Sequence, residues 1–336
     1  MTPHSPRFPV HESATPALAA LLRQYQIVGV GDAHGVEAIL QWLIDCLLRP
    51  DTAPLLDTIV VEFAAACSQP LLDAYIAGKP GLEDKIDAVC GDTLHFCAWF
   101  AEVYRRFFQA VRHINQRLPA PRIRVLAADP PIDWRAADAG RQWREANQRR
   151  EVHYQGLIEQ EVIARNRRAL LIFGAFHLLR GYPSGAMPGM HTQPATNNPP
   201  GINGSPLASR LRNLDPGQSY YLWPHFGHRP DVTAVAQREN WRTPALVHTA
   251  RSALGALPFA ALSQRVPYLA ERPVRELFDG YLFLGAAHKR KTFPRCGDNP
   301  LPLAEMRRRA QLLPPPHRQR FLAAIDATQN VDDAGA

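Results

Sequence analysis

Ile27-Val-Gly-Val-Gly-Asp-Ala-His-Gly35 is an apolar run that stops abruptly at Asp32 and His34. A buried strand that ends in small residues delivers its last polar side chains to the carboxyl edge of a sheet, where open α/β folds place ligands. Directly after it, Val36, Ile39, Leu40, Leu43, Ile44 and Leu47 recur at the spacing of one helix face. The stretch reads as a strand-turn-helix junction with two polar groups at its tip, and so as a site rather than as core.

The same grammar recurs along the chain. Asp57-Thr-Ile-Val-Val-Glu-Phe63 is a second buried strand with Glu62 near its end. Arg122-Ile-Arg-Val-Leu-Ala-Ala-Asp129 is a third, closed by Pro130 and Pro131. Ala169-Leu-Leu-Ile-Phe-Gly-Ala-Phe-His177 is a fourth, and its histidine follows a glycine by three residues, as His34 follows Gly31.

Helical spacing fills the intervals at 17–24, at 69–76 ahead of Gly78, and within 93–118, where Phe100, Val103, Tyr104, Phe107, Phe108, Val111 and Ile114 mark a core face. Residues 134–166 read as one long helix or two, with Tyr154, Leu157, Ile158 and Val162 on one face. Strands at 220–226, 244–249 and 281–285 and a basic tail helix at 304–312 and 321–327 complete the pattern. Alternating strands and helices predict an α/β fold, a largely parallel central sheet with helices on both faces, plus long projecting helices. Residues 1–15, rich in proline, read as a flexible arm. Residues 16–330 read as a single α/β domain, with 182–219, dense in Pro, Gly, Asn and Ser, as a long loop beside the site.

At 336 residues and 46% hydrophobic, the chain can bury one large core, so a small stapled scaffold is excluded. No run approaches the roughly 18 to 20 apolar residues that span a bilayer, and residues 1–10 hold no hydrophobic block, so a cytoplasmic protein without membrane association is expected. Five cysteines without framework spacing fit reduced thiols. Cys90, His95 and Cys97 lack the second ligand pair that a structural zinc site needs. The net charge of +7 resides mostly in scattered arginines, with clusters at 149–150, 165–168 and 307–309. Without aromatic interleaving these read as solvated helix faces, and no nucleic-acid partner is expected.

Adjacent parallel strands would bring Asp32, His34, Glu62, Asp129 and His177 to one edge. Two histidines among carboxylates suit either a general base with its orienting acid or a metal site of imidazole and carboxylate ligands. A dinucleotide fold is the rival, because Gly29-x-Gly31 opens a helix after a strand; its fingerprint, however, needs a small residue where His34 stands. No Gly-x-Ser-x-Gly elbow, His-Glu-x-x-His or phosphate-binding Walker loop is present, which leaves water as the nucleophile if the reaction is hydrolysis.

Gly31-Asp32-Ala33-His34, Glu62 and Gly174-Ala175-Phe176-His177 resemble the opening Gly-Glu-x-His, the second-strand Glu and the late Gly-x-x-His of the superfamily that joins erythromycin esterases, ChaN-like haem-uptake proteins and TIKI/TraB proteins. The likeness is strongest to a bacterial branch of unassigned activity. It rests on Ile59-Val-Val-Glu-Phe63, Leu72-Asp-Ala-Tyr-Ile-Ala-Gly78, Arg124-Val-Leu-Ala-Ala-Asp-Pro-Pro-Ile-Asp-Trp134 and Phe278-Asp-Gly-Tyr-Leu-Phe-Leu-Gly285, and covers most of residues 27–180.

For an esterase-like member the resemblance implies a hydrolase in which His34 activates water, with Asp32, Glu62, His177, Asp129 and Arg150 in the catalytic site. For a TIKI-like member it implies a divalent metal held by His34, Glu62 and His177. For a ChaN-like member it implies a non-catalytic binder of haem or another small ligand, to which His191 and Tyr182 of the long loop would contribute. The partner in each case is a small molecule or a peptide. Two departures stand out: Asp32 replaces the usual Glu, shortening the reach by about 1.5 Å, and Arg150 is followed by Glu151 where an Asp is expected.

Overall fold

The structure, a computed structural model, describes residues 9–99, 102–119, 123–180, 205–214, 217–285 and 301–333. The chain begins with β1 (His11–Ser13), α1 (Ala14–Gln24), β2 (Ile27–Asp32), α2 (Glu37–Leu47) and β3 (Thr58–Ala65). Next come α3 (Gln69–Ile76), α4 (Ala88–Gly91), α5 (Glu102–Arg117), β4 (Arg124–Asp129) and α6 (Ala139–Ile158), which runs on as a π-helical turn, Glu159–Ile163. Then follow β5 (Ala169–Gly174), α7 (Leu207–Leu214), β6 (Ser219–Pro224), α8 (Pro230–Arg238), β7 (Ala245–His248), α9 (Val274–Leu277) and β8 (Gly280–Phe283). Two helices end the described chain, α10 (Leu303–Leu312) and α11 (Pro315–Asp333).

All eight strands lie in one sheet in the order β1-β7-β8-β6-β2-β5-β3-β4. Its pairs are parallel from β8 through β4, whereas β7 meets both β8 and β1 antiparallel. The Ile27 strand is therefore central: β5 flanks it in register from Ile27↔Ala169 to Asp32↔Gly174, and β6 flanks it on the other side.

Strand periodicity sorts the core into two layers. Val28 and Val30, Ile59 and Val61, Val125 and Ala127, and Leu170 and Ile172 point into a cluster formed with α1, α2 and α5. The alternate residues Ile27, Val60, Leu126, Leu171 and Phe173 point into a cluster with α6 and α7. Helices thus flank both faces, which is why these strands read as continuous apolar runs. Beyond β6 a third cluster gathers Trp223, Val247 and Tyr281 with α8 and α9. Among the described residues no helix is long and apolar enough to cross a membrane.

Three local expectations change. Residues 9–15 are no loose arm: His11–Ser13 pairs with β7 at Glu12↔Leu246, and α1 already starts at Ala14 with Ala14, Ala17, Leu18, Leu21 and Leu22 buried. A three-residue strand is too short to show a period, and its partner lies far along the chain. Of the helical segment expected within 93–118, the described helix is Glu102–Arg117; Phe96 and Trp99 ahead of it are buried in irregular chain, and Phe100 lies outside the described residues. Within 182–219, α7 and the start of β6 are ordered structure, and residues 182–204, with Tyr182 and His191, lie outside the described residues.

Gly29 and Gly31 serve packing. A Cβ on Gly31 would stand 2.7 Å from Pro224 Cδ and 2.9 Å from Ala175 Cβ, and one on Gly29 would stand 2.5 Å from the Tyr221 ring. The glycines let β2 lie against the neighbouring strands, which answers the dinucleotide reading.

Candidate functional site at the carboxyl ends of the strands

Because β2, β5, β3 and β4 are neighbours and parallel, Asp32, Gly174, Glu62 and Asp129 reach the same edge of the sheet. Strand parity then divides them. Asp32 shares the face of Val28 and Val30 and so meets α5, whereas Glu62 shares the face of Val60 and meets α6. Glu62 also lies where the β3–β4 register shifts between Val61 and Ala65. Such irregularities re-aim a side chain.

The α5 side carries Asp32 and His34. Asp32 Oδ2 accepts a hydrogen bond from the Tyr104 hydroxyl at 3.0 Å and lies 2.9 Å from His34 Nδ1, while Oδ1 is buried without a hydrogen-bond partner among the described residues. A carboxylate only accepts, so His34 carries its proton on Nδ1 and its Nε2 is the basic nitrogen of the neutral ring. The His34 side chain is 28% exposed and that of Asp32 3%. Trp99 holds the imidazole edge-on, ring centroids 4.3 Å apart. Gly174 makes room for it: a Cβ there would stand 3.3 Å from His34 Nε2 and 3.2 Å from Glu62 Oε2.

The α6 side is a closed network of ions. Glu62 Oε2 accepts the Gly174 N–H, and Oε1 accepts from Arg150 Nη2 and lies 3.4 Å from His177 Nε2. His177 Nδ1 meets Glu151 Oε1 at 2.5 Å. Arg150 Nε donates to the Tyr154 hydroxyl and lies 3.3 Å from Asp129 Oδ1, to which Tyr154 donates at 2.9 Å. Asp129 Oδ2 accepts the Leu94 N–H.

The titrations follow from these contacts. Burial alone would raise the Glu62 carboxyl, but the charges of His177 and Arg150 outweigh it and hold the group well below the usual carboxylate range. Burial would likewise lower His177, yet Glu151 and Glu62 prevail and raise it to about 9. Asp129 is pushed up to about 6, by burial against the opposing charge of Arg150. Near neutrality the α6 side thus holds Glu62 as carboxylate and His177 as imidazolium, a fixed arrangement of charge beside His34.

All six residues expected at the site sit at this edge, in two groups: Asp32 with His34, and Glu62, Asp129, Arg150 and His177 together. Arg150 is fully engaged, each of its nitrogens having a protein partner, so it balances charge instead of facing a ligand. Of the metal set His34, Glu62 and His177, Glu62 accepts from Arg150 Nη2 and the Gly174 N–H, His177 Nε2 faces Glu62 itself, and His177 Nδ1 meets Glu151. Among the described residues no group of three or more His, Cys, Asp or Glu is placed to hold a metal, Cys90, His95 and Cys97 included. Cys46, Cys67, Cys90 and Cys97 are free thiols.

Tyr104, Tyr154 and His95 were not expected to take part, and Glu151 was noted only as the acidic neighbour of Arg150. A signal for two of them exists in α6, whose buried stripe Trp143, Asn147, Arg150, Glu151, Tyr154 and Ile158 keeps helical spacing through charged residues. Charges on a buried stripe require partners, and the strand-end acids supply them.

No family model matches the chain, and no curated protein does. Two solved structures are similar in outline. The type III effector HopBA1 is 12% identical with a TM-score of 0.41, covering 68% of this chain and 90% of its own. ChaN of Campylobacter jejuni, a structure with cofacially bound heme, is 11% identical with a TM-score of 0.38, covering 65% of this chain and 88% of its own. Likeness this slight assigns neither a family nor an activity.

Proposed function

We propose that the protein is a hydrolase in which His34 acts as general base toward water attacking an ester or peptide bond. The observation that supports it is the Asp32–His34 hydrogen bond of 2.9 Å, which orients a partly exposed imidazole at the carboxyl edge of a parallel sheet. Asp32, fixed by Tyr104, sets the tautomer and steadies the imidazolium that forms, a pairing general to carboxylate-oriented histidine bases. Glu62, Arg150, His177, Glu151 and Asp129 hold the strand ends and the local charge in place.

The test is hydrolysis of chromogenic carboxylic and phosphate esters and of a peptide set. Wild type should turn over at least one substrate, and His34→Ala should lower that rate by about 10² or more. No turnover of any substrate, or an unaffected His34→Ala, would sink the reading.

Binding of haem is the second reading. Of the strand-end imidazoles, His34 is the partly exposed one, whereas His177 and His95 are buried. A saturable shift of the haem absorbance band that disappears in His34→Ala would replace hydrolysis with ligation at this residue.

A further inference from the structure

His95 lies beneath α11 and carries a proton with nowhere to go. Its Nδ1 is 3.5 Å from Arg150 Nη1, and a guanidinium can only donate, so Nδ1 is the acceptor. Burial holds the ring's pKa well below the usual histidine range, with the charges of Arg150 and Arg320 adding to it. The neutral ring therefore carries its proton on Nε2, and that nitrogen is buried with no hydrogen-bond partner among the described residues; the residue is only 9% exposed. A buried donor left unmade costs stability, which an acceptor brought by a ligand would recover.

Positive charge gathers beside this ring. Arg320 of α11 lies over Phe321, whose ring is 5.8 Å from that of His95, and its charge acts on His95. The Arg265 guanidinium, 5.9 Å over Phe176, acts in turn on Arg320. Both arginines keep surface access. Neighbouring atoms nevertheless crowd the head group of Arg320, and desolvation followed by the charges of Arg150 and Arg265 lowers its pKa. Among the described residues no carboxylate is paired with Arg320, and the acid that His95 senses, Glu62, is already taken by Arg150 and His177.

We propose that the Nε2–H of His95 and the guanidinium of Arg320 form an oxyanion subsite, so that the substrate of the His34 site carries a carboxylate or a phosphate. The subsite adjoins the base through Arg150, which bonds both Glu62 and His95. Its assignment to a substrate rests on the hydrolase reading; anion binding itself does not.

Inorganic phosphate and acetate, titrated separately into the full chain by calorimetry, test it without turnover. Saturable binding of one ion is expected, weakened at least about tenfold, or about 1.4 kcal/mol, in Arg320→Gln. The ring N–H resonance of His95 should shift on addition of that ion. Tighter phosphate assigns a phosphate-bearing substrate, and tighter acetate a carboxylate-bearing one. No saturable binding of either ion, or an Arg320→Gln variant that binds as wild type, overturns the subsite and leaves the role of His34 standing. Conversely, ion binding persists if no ester is ever turned over.

Discussion

Arg150 and Glu62, each with its side chain 1% exposed, are joined by a guanidinium–carboxylate hydrogen bond beneath the strand ends. Taking two charges out of water is costly, and neither is tolerable alone. Arg150→Met should therefore leave Asp129 without its charge partner and Glu62 with His177 alone, and destabilise the fold by about 3 to 5 kcal/mol. Urea unfolding checks this. The double variant Arg150→Met, Glu62→Met should lose less than the sum of the two single changes; full additivity would show that the pair is not coupled.

Stability should depend on pH through His177. Its folded pKa is raised from 6.5 to about 9, so the folded state binds the proton more tightly than the unfolded chain. The contribution is complete below the unfolded value and is lost as pH rises toward 9, a change on the order of 3 kcal/mol. Melting temperature should fall over this window in wild type and stay flatter in His177→Gln. Glu62 and His95 act with the opposite sign, their depressed pKa values making the fold less stable as pH falls through the acid range. Parallel slopes for wild type and His177→Gln between these limits would refute the charged His177.

The strand ends were legible in the sequence because buried parallel strands are apolar throughout; Asp32 and Asp129 interrupt that pattern where their strands end, and Glu62 does so where β3 shifts register against β4. Convergence was not legible, since it depends on β5 returning between β2 and β3, and no local signal sets that order. Nor could a list of strand tips tell that Asp32 and Glu62 face opposite helices; that follows from parity, once Val30 and Val60 are known to lie in different layers. Arg150 was expected in the catalytic site, but its engagement by four partners, Glu62, Asp129, Tyr154 and His95, was not legible, because they come from three separate parts of the chain and from its own helix.

Tyr104→Phe isolates the support of Asp32. The hydroxyl donates to Oδ2 at 3.0 Å, the same oxygen that holds His34. Deleting it removes one hydrogen bond to a charged group, about 1.5 to 3 kcal/mol, and frees the carboxylate to rotate. Turnover on the responsive ester should drop roughly tenfold. Unchanged turnover would show that Asp32 is positioned by packing alone.

Gly174→Ala is the most discriminating change, because it acts on the site by shape. The backbone here has φ −48°, which alanine adopts without strain, so folding should be nearly unaffected. The new methyl, however, would stand 3.1 Å from His34 Cε1, 3.3 Å from its Nε2 and 3.2 Å from Glu62 Oε2. Glu62 is anchored by Arg150, His177 and the Gly174 N–H, whereas His34 is partly exposed and is the group that yields. Displacing a base by a few tenths of an ångström disturbs the geometry on which proton transfer depends. A loss of turnover of about tenfold or more is expected, with a melting temperature within a few degrees of wild type. Equal losses of activity and stability would mean that the methyl displaces Glu62 instead, and full activity would place the reacting centre away from the His34 edge that Gly174 faces.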